Sequence, residues 1–430
     1  MVNLSIVIAL IIFSVLVIFH EFGHFIVAKK NGIVVNEFSL GMGPRLISWG
    51  KGETKYSIKI LPFGGSCAML GEDQDTVVEG SFNSKSVWAR MAVVFAGPFF
   101  NFILAWVLAL IVIGFEGIDL AYVDDLDTQG ILYEKGLRDG DKLIKVDGKS
   151  AVIARELFRN DYLSPLDGSE IELVYKRDGK KHTIKYVPPG EKKYLLGMSY
   201  AGTEDPAEVV VMRESSLAKA GAVSGDTIVS VNGTKINSGA DLNKYFQENT
   251  LDGSAVKLTV LRNKKEIELE VEPKVTTLYN YGFKYTAKRI KQSPIGVVRY
   301  SFNEVKYDAD TVLKSLKLLV TGKVNKDEMS GPVGIVGAIG DTYESAKKEG
   351  IMLTIMTMLN MAIMLSANLG VMNLLPIPAL DGGRLLFFII EALRGKPIDR
   401  EKEGMIHFVG FVLLMIFMVF LIFNDVGKLF

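Results

Sequence analysis

The residues best suited to chemistry in this chain form one pentapeptide, His20-Glu21-Phe22-Gly23-His24. On a helix, positions i and i+4 share a face about 6 Å apart, so two imidazoles can hold one cation with Glu21 beside it. A divalent ion so held activates water, and the carboxylate can take the proton, which is hydrolytic chemistry. Hydrolytic zinc sites usually have three protein ligands, so the pentapeptide is one short. His182 lies in a globular stretch, while His407 opens an apolar run and is a rival on position alone. The better candidate is Asp381 in NLLPIPALDGG, Asn373 to Gly383, where Pro376 and Pro378 break an apolar run. Two prolines uncouple a helix, and unwound backbone at membrane depth is tolerated only where it packs on protein or lines a wet cavity.

These side chains sit in unusual surroundings. Phe22, Phe25, Ile26, Val27 and Ala28 flank them, and Lys29-Lys30 closes the run. Counting back from Lys29 places the histidines roughly 7–14 Å inside it. Ionisable groups at that depth cost about 2.5–3.5 kcal/mol each on insertion scales unless paired or facing a cavity. A shared metal ion supplies the compensation.

The apolar residues collect in four blocks: Val2 to Ala28, Met91 to Phe115, Ile351 to Leu375 and Met405 to Phe423. Each approaches the roughly 20 residues that a spanning helix needs. The first has no basic residue before it and no small-x-small cleavage pattern after it, so it reads as an uncleaved span. Lys and Arg crowd the segments between blocks one and two (Lys29, Lys30, Arg45, Lys55, Lys59) and between blocks three and four (Arg394, Lys396, Arg400, Lys402). Both segments are therefore expected on the cytoplasmic side, with the long middle region and both termini outside.

The 430 residues carry 49 Lys+Arg against 49 Asp+Glu and are 49% hydrophobic, which argues against disorder and a nucleic-acid partner. One cysteine, Cys67, excludes an internal disulfide and any site needing two thiolates. Between Gly117 and Val275 the chain turns globular and repeats. GLRDGDKLIKVDGK from Gly136 lies over GAVSGDTIVSVNGT from Gly221, and LDGS at Leu166 over LDGS at Leu251, both at an offset of 85. A constant offset through two separated blocks marks an internal duplication. Each copy reads as Gly-Asp turn, strand, second turn, helix and strand, and resembles a PDZ domain.

HEFGH in the first block with NLLPIPALDGG in the third resembles the site-2 protease family of intramembrane zinc metalloproteases, in its bacterial RseP-like branch. FSLGMGP (Phe38 to Pro44) resembles the family's membrane-associated β-hairpin, and LPFGGSCAMLGED (Leu61 to Asp73) the segment after it. AGPFFNF (Ala96 to Phe102) resembles its second-span motif, and SGPVGI (Ser330 to Ile335) the stretch before the third span. The resemblance implies one Zn2+ per chain on His20, His24 and Asp381, with Glu21 as general base. Asn373 and Asn101 are then expected to position substrate. Gly41 and Gly43 are expected to shape a hairpin that pairs with an extended substrate. It further implies cleavage within transmembrane segments of membrane-tethered regulators or signal-peptide remnants, after an earlier cut outside the membrane. The location implied is the bacterial plasma membrane, with the active site near the cytoplasmic side. Many Gram-positive members have a single PDZ module, so the duplication leaves lineage open.

The expected fold is a polytopic α-helical membrane protein with four transmembrane helices, a membrane-associated β-hairpin and two extracytoplasmic PDZ-like α+β domains. Its parts are a first span (1–28), a hairpin loop (29–89), a second span (90–116) and PDZ-like domains (117–200 and 201–275). A linker with a candidate amphipathic helix (276–350), a broken third span (351–393), a short loop (394–404) and the last span (405–430) follow. Two other classes compete. A catalytically silent PDZ scaffold has no use for Glu21 beside intact ligands, and a metal transporter needs more polar residues than the spans contain.

Overall fold

The computed structural model describes all residues except 1–3, 51, 73–76, 204, 213, 323, 325–328 and 429–430, so Asp73 lies outside the described residues. The chain divides into two compact units, one of residues 1–119 with 289–430 and one of Leu120–Lys288.

In the first unit α1 (Leu4–Lys30) is apolar, apart from two serines and the His20, Glu21 and His24 set, until Lys29 and Lys30, whose charges suit the carbonyl end of a helix. Gly32, at φ +66°, ends it. Two long strands follow, β1 (Val35–Trp49) and β2 (Lys55–Met69). Each bends back on itself, so four segments form one small sheet. Residues 37–40 pair with 65–68 on one side and 55–58 on the other, and Arg45–Trp49 pair with 56–59 beyond them. Helix α2 (Val87–Glu116) is capped by Ser86, whose hydroxyl accepts from the Ala89 amide, and carries Pro98 inside it.

The second unit holds the duplicated region. Its first copy contains β3 (Ile118–Asp124), α3 (Ile131–Glu134), β4 (Lys142–Val146), β5 (Lys149–Ser150), α4 (Ala154–Leu163), β6 (Ile171–Arg177) and β7 (Lys180–Tyr186). After β8 (Gly190–Leu195), the second contains β9 (Met198–Tyr200), β10 (Val209–Val211), α5 (Ser216–Lys219) and β11 (Thr227–Val231). It continues through β12 (Thr234–Lys235), α6 (Gly239–Glu248), β13 (Val256–Arg262) and β14 (Lys265–Val271). The offset of 85 carries into the cores: Leu132, Leu143, Val146, Leu157 and Leu173 match Leu217, Ile228, Val231, Leu242 and Leu258, all buried. The ion pairs repeat too, Arg177–Asp141 at 2.5 Å and Arg262–Asp226 at 2.7 Å.

The copies do not simply follow one another. β15 (Lys274–Tyr279) pairs with β8, and β16 (Lys284–Ile290) then returns to the edge of β3. Tyr281 joins the first core, as Leu196 joins the second. YLLGMSY at Tyr194 and YNYGFKY at Tyr279 stand at the same offset of 85. The expected boundary between 200 and 201 is therefore displaced. Residues 194–200 pack in the second copy, and 279–290 close the first around it.

The chain re-enters the first unit through α7 (Pro294–Val320), α8 (Pro332–Glu349), α9 (Ile351–Leu374), α10 (Asp381–Arg394) and α11 (Arg400–Gly427). Among the described residues, α1, α2, α9 and α11 are long and apolar enough to cross a bilayer. The proline segment separates α9 from α10, so the break in the third span falls between Leu374 and Asp381. Helix resumes at Asp381. α7 is more than a linker or surface helix, since its Val305 is buried among Ala105, Ala109, Ile363 and Ala367 of α2 and α9. α8 was not foreseen; its Ile339 is fully buried with Ala9, Leu16 and Leu365.

Asp425, near the end of α11, ties that helix to α8 by accepting from the Gly331 and Gly334 amides at 2.9 and 2.8 Å. It is 3% exposed. Asp425→Ala strands these donors, and is expected to cost about 1–3 kcal/mol of unfolding free energy in detergent. An unchanged unfolding midpoint would contradict the tie.

Candidate metal centre

His20 and His24 leave α1 one turn apart with ring centroids separated by 4.9 Å. Asp381 is the first residue of α10. Asp381 Oδ2 lies 3.1 Å from His20 Nε2 and 3.5 Å from His24 Nε2, and the two Nε2 atoms are 3.2 Å apart. Asp381 Oδ2 is nonetheless buried without a hydrogen bond. Three ligand atoms facing one point are satisfied together by a cation, and two imidazoles with one carboxylate suit zinc with a position left for water.

The surroundings orient these ligands. His24 Nδ1–H donates to the Val93 carbonyl at 2.9 Å, which leaves its Nε2 lone pair facing Asp381. Asn101 Nδ2 stands 3.0 Å from His20 Nδ1, an orientation in which the amide donates and the imidazole proton sits on Nε2. With Asn101 Oδ1 turned toward the ring, that oxygen, otherwise buried without a partner, accepts Nδ1–H and frees His20 Nε2. Asn101 is fully buried, and its main-chain carbonyl accepts from Ser366 Oγ of α9 at 2.8 Å. Sequence reasoning expected Asn101 at the substrate; burial places it behind His20 instead.

Small residues let these elements close in. A Cβ on Gly23 would lie 2.4 Å from the Ala96 carbonyl oxygen of α2. A Cβ on Gly97 would lie 2.3 Å from His24 Nε2, so Gly97 leaves the room that ligand needs. Gly382 and Gly383 do the same for the proline segment, where added carbons would meet the Leu375 and Ile377 carbonyl oxygens at 2.1 and 2.4 Å. Gly97→Ala is expected to lower zinc affinity by about 10–100-fold, the scale of losses when a ligand is misoriented. Chelator competition on the purified chain reads this, and wild-type affinity would refute the steric argument.

Glu21 is half-buried beside β2, where a Cβ on Gly65 would lie 3.0 Å from Glu21 Cγ. Burial, with the carboxylates of Glu21 and Glu72, pushes the Cys67 thiol well above its ordinary range, consistent with an inert reduced cysteine. Arg45 forks onto Glu37 at 2.8 and 2.9 Å and holds that carboxyl down to about 2. Asn373 is half-buried in the last turn of α9.

The expected role of the turn at Gly41 and Gly43 changes here. Phe38 to Leu40, leading into Gly41 and Gly43, are paired on both sides and offer no free edge. Gly41, at φ +84°, permits a crossing so close that a Cβ would be 2.3 Å from the Leu61 carbonyl oxygen. The edge beside Glu21 is residues 65–69, which no other described strand joins. His407 is not a third ligand either: its Nδ1 accepts from the Ala379 amide at 2.9 Å. His182 stacks on Tyr175 in the other unit.

Comparison with known proteins gives a consistent result. The profile of peptidase family M50 matches residues 8–417. The chain is 30% identical to the zinc metalloprotease RasP of Geobacillus kaustophilus, over 99% of this chain and 98% of that one. It is 32% identical to the regulator of sigma-W protease RasP of Bacillus subtilis, over 98% of each. Among solved structures, the HtrA3 PDZ domain bound to a phage-derived ligand covers 21% of this chain and 93% of that one, with 23% identity and a TM-score of 0.18.

Proposed function

Because the chain belongs to peptidase family M50 and is a zinc metalloprotease of the membrane, we propose that it cuts peptide bonds within transmembrane segments of membrane-tethered regulators or signal-peptide remnants. The observation that carries this reading is the convergence of His20, His24 and Asp381 on one point. The Bacillus subtilis relative, named for regulation of sigma-W, supports a substrate of the anti-sigma-factor kind. Basic residues flanking α1 and α10 support an active site near the cytoplasmic face, with the duplicated region outside.

His20, His24 and Asp381 would hold one Zn2+ per chain. When bound, that ion supplies Lewis acidity toward water and the scissile carbonyl. Glu21 takes the proton from the attacking water and returns it to the leaving amine. The Val93 carbonyl keeps His24, and Asn101 with its amide oxygen toward the ring keeps His20, in the tautomer whose Nε2 is free. Asn373 is assigned to the substrate backbone as a hydrogen-bond donor. A transmembrane helix shields its own peptide bonds, so the substrate must unwind, and the edge at 65–69 offers an extended chain a strand to join. A photoreactive residue at exposed Ala68 is then expected to crosslink substrate, and one at Ile47 on the far edge to fail. The reverse pattern would reassign the edge.

The two copies are read as PDZ modules that admit substrates already trimmed outside the membrane. A cleft of about 740 Å³ beside β9 and α6 is lined by Leu196, Met198, Tyr200 and Phe246, which supports peptide docking in the second copy. In the first, Tyr281 and Asp161 stand where the second has Leu196 and Phe246, and burial, with that carboxylate close to the tyrosine, raises its hydroxyl pKa. Cleavage of a transmembrane peptide in detergent tests the assignment. Loss of cleavage with chelator and recovery with zinc support it, and chelator-resistant cleavage overturns it.

A further inference from the structure

We propose that His407 is a positioning residue, which holds the turn that presents Asp381 and so makes metal retention depend on where α11 sits. The inference rests on the metalloprotease reading above.

Three observations meet at this turn. Leu375 to Leu380 carry two prolines, and of the four amides that remain, those of Leu375, Ile377 and Leu380 donate to nearby carbonyls while that of Ala379 turns to α11. Ala379 stands at φ +78°, a left-handed conformation that favours glycine and strains an alanine. The other non-glycine residues with positive φ among the described ones are Asp, Asn, Glu or Lys. The Ala379 amide then donates to His407 Nδ1 from α11 at 2.9 Å, two residues before the ligand. A neutral imidazole that accepts at Nδ1 carries its proton at Nε2, so its roles are already assigned.

α11 grips the same turn again one helical turn along. A Cβ on Gly410 would lie 2.4 Å from Pro378 Cβ and 2.7 Å from the Pro378 oxygen. His407 is also seated against Phe387 of α10, ring centroids 5.3 Å apart. Apart from the Asp425 tie to α8, little of α11 is covered by the rest of the protein. A helix so loosely enclosed nonetheless holds the strained residue beside the ligand. Displacement of α11 would release Ala379 and let Asp381 drift from the imidazoles.

The test uses the full-length chain in detergent, with zinc affinity read by chelator competition. His407→Phe keeps a ring against Phe387 and removes the acceptor; His407→Asn keeps an acceptor near Nδ1. Zinc affinity is expected to fall about tenfold or more in His407→Phe, toward the losses seen when ligand-supporting partners are removed. It is expected to stay within about threefold of wild type in His407→Asn, because the hydrogen bond survives. Adding Ala379→Gly to His407→Phe is expected to recover part of the loss, since glycine accepts this φ without help. Wild-type affinity in His407→Phe, or an equal fall in both single variants without glycine rescue, would overturn the proposal in favour of packing alone. Wild-type chain that takes up no zinc, or His20→Ala that takes up as much as wild type, would instead refute the underlying metal assignment. Should His407→Phe fail to fold, the comparison of His407→Asn with Ala379→Gly alone still decides, both being expected to retain zinc.

Discussion

Glu21→Gln is expected to slow cleavage of a transmembrane peptide by about 10²–10⁴-fold, the range general-base catalysis supplies, with zinc content unchanged. The separation follows from placement. Glu21 is next to His20 in sequence but lies outside the trio, against the strand edge at Gly65. Its amide replacement is nearly isosteric, so the ligands keep their geometry while the proton acceptor is lost. Single-turnover cleavage with metal analysis of the same sample checks both halves. Loss of metal together with activity would mean that Glu21 helps hold the ion, and full activity would remove it from the mechanism.

Asp381→Asn should behave differently, losing zinc and cleavage together. The carboxylate oxygen shared by both imidazoles is replaced by a neutral amide, which is a far weaker ligand. Zinc affinity is expected to fall by more than the about 10–100-fold typical of losing a supporting partner. The fold should survive, because Gly382, Gly383 and the proline segment still shape the start of α10. Chelator competition and circular dichroism together measure this. Retained zinc at wild-type affinity would exclude Asp381 as a ligand.

The contrast between these variants also shows what the sequence made legible. HEFGH could be read because the helical period alone stacks His20 on His24, and Asp381 because Pro376 and Pro378 announce an unwound segment. The long apolar runs announced α1, α2, α9 and α11 by the same local logic. What local patterns could not carry was the identity of packing partners. Nothing near Gly97 or Asn101 in the chain says that one faces His24 and the other stands behind His20, since both contacts arise from the crossing of α1 and α2. His407 attracted attention as a rival ligand by its position at the head of an apolar run, yet only the approach of α11 to Ala379 reveals its bond. α8 was missed because Asp341, Glu344, Lys347 and Lys348 mask the apolar stripe around Ile335 and Ile339. The nesting of the second copy inside the first was foreshadowed by YLLGMSY and YNYGFKY. Their variable side chains hide the likeness until β9 and β16 are seen in equivalent places.

The sheet beside α1 carries a similar lesson. Gly41 and Gly43 were legible as special positions, and Gly41 does permit a close crossing. Alternation of residues could not reveal that each long strand doubles back, which buries residues 37–40 between neighbours and moves the open edge to 65–69.

X-ray absorption at the zinc edge of the purified full-length chain examines the central proposition with least intervening inference. The expected result is one zinc per chain, with two imidazole nitrogens at about 2.0–2.1 Å and a carboxylate oxygen at about 2.0–2.2 Å, and one imidazole fewer in His24→Ala. A chain that binds no zinc, or a metal shell of oxygens alone unchanged by His24→Ala, would contradict it.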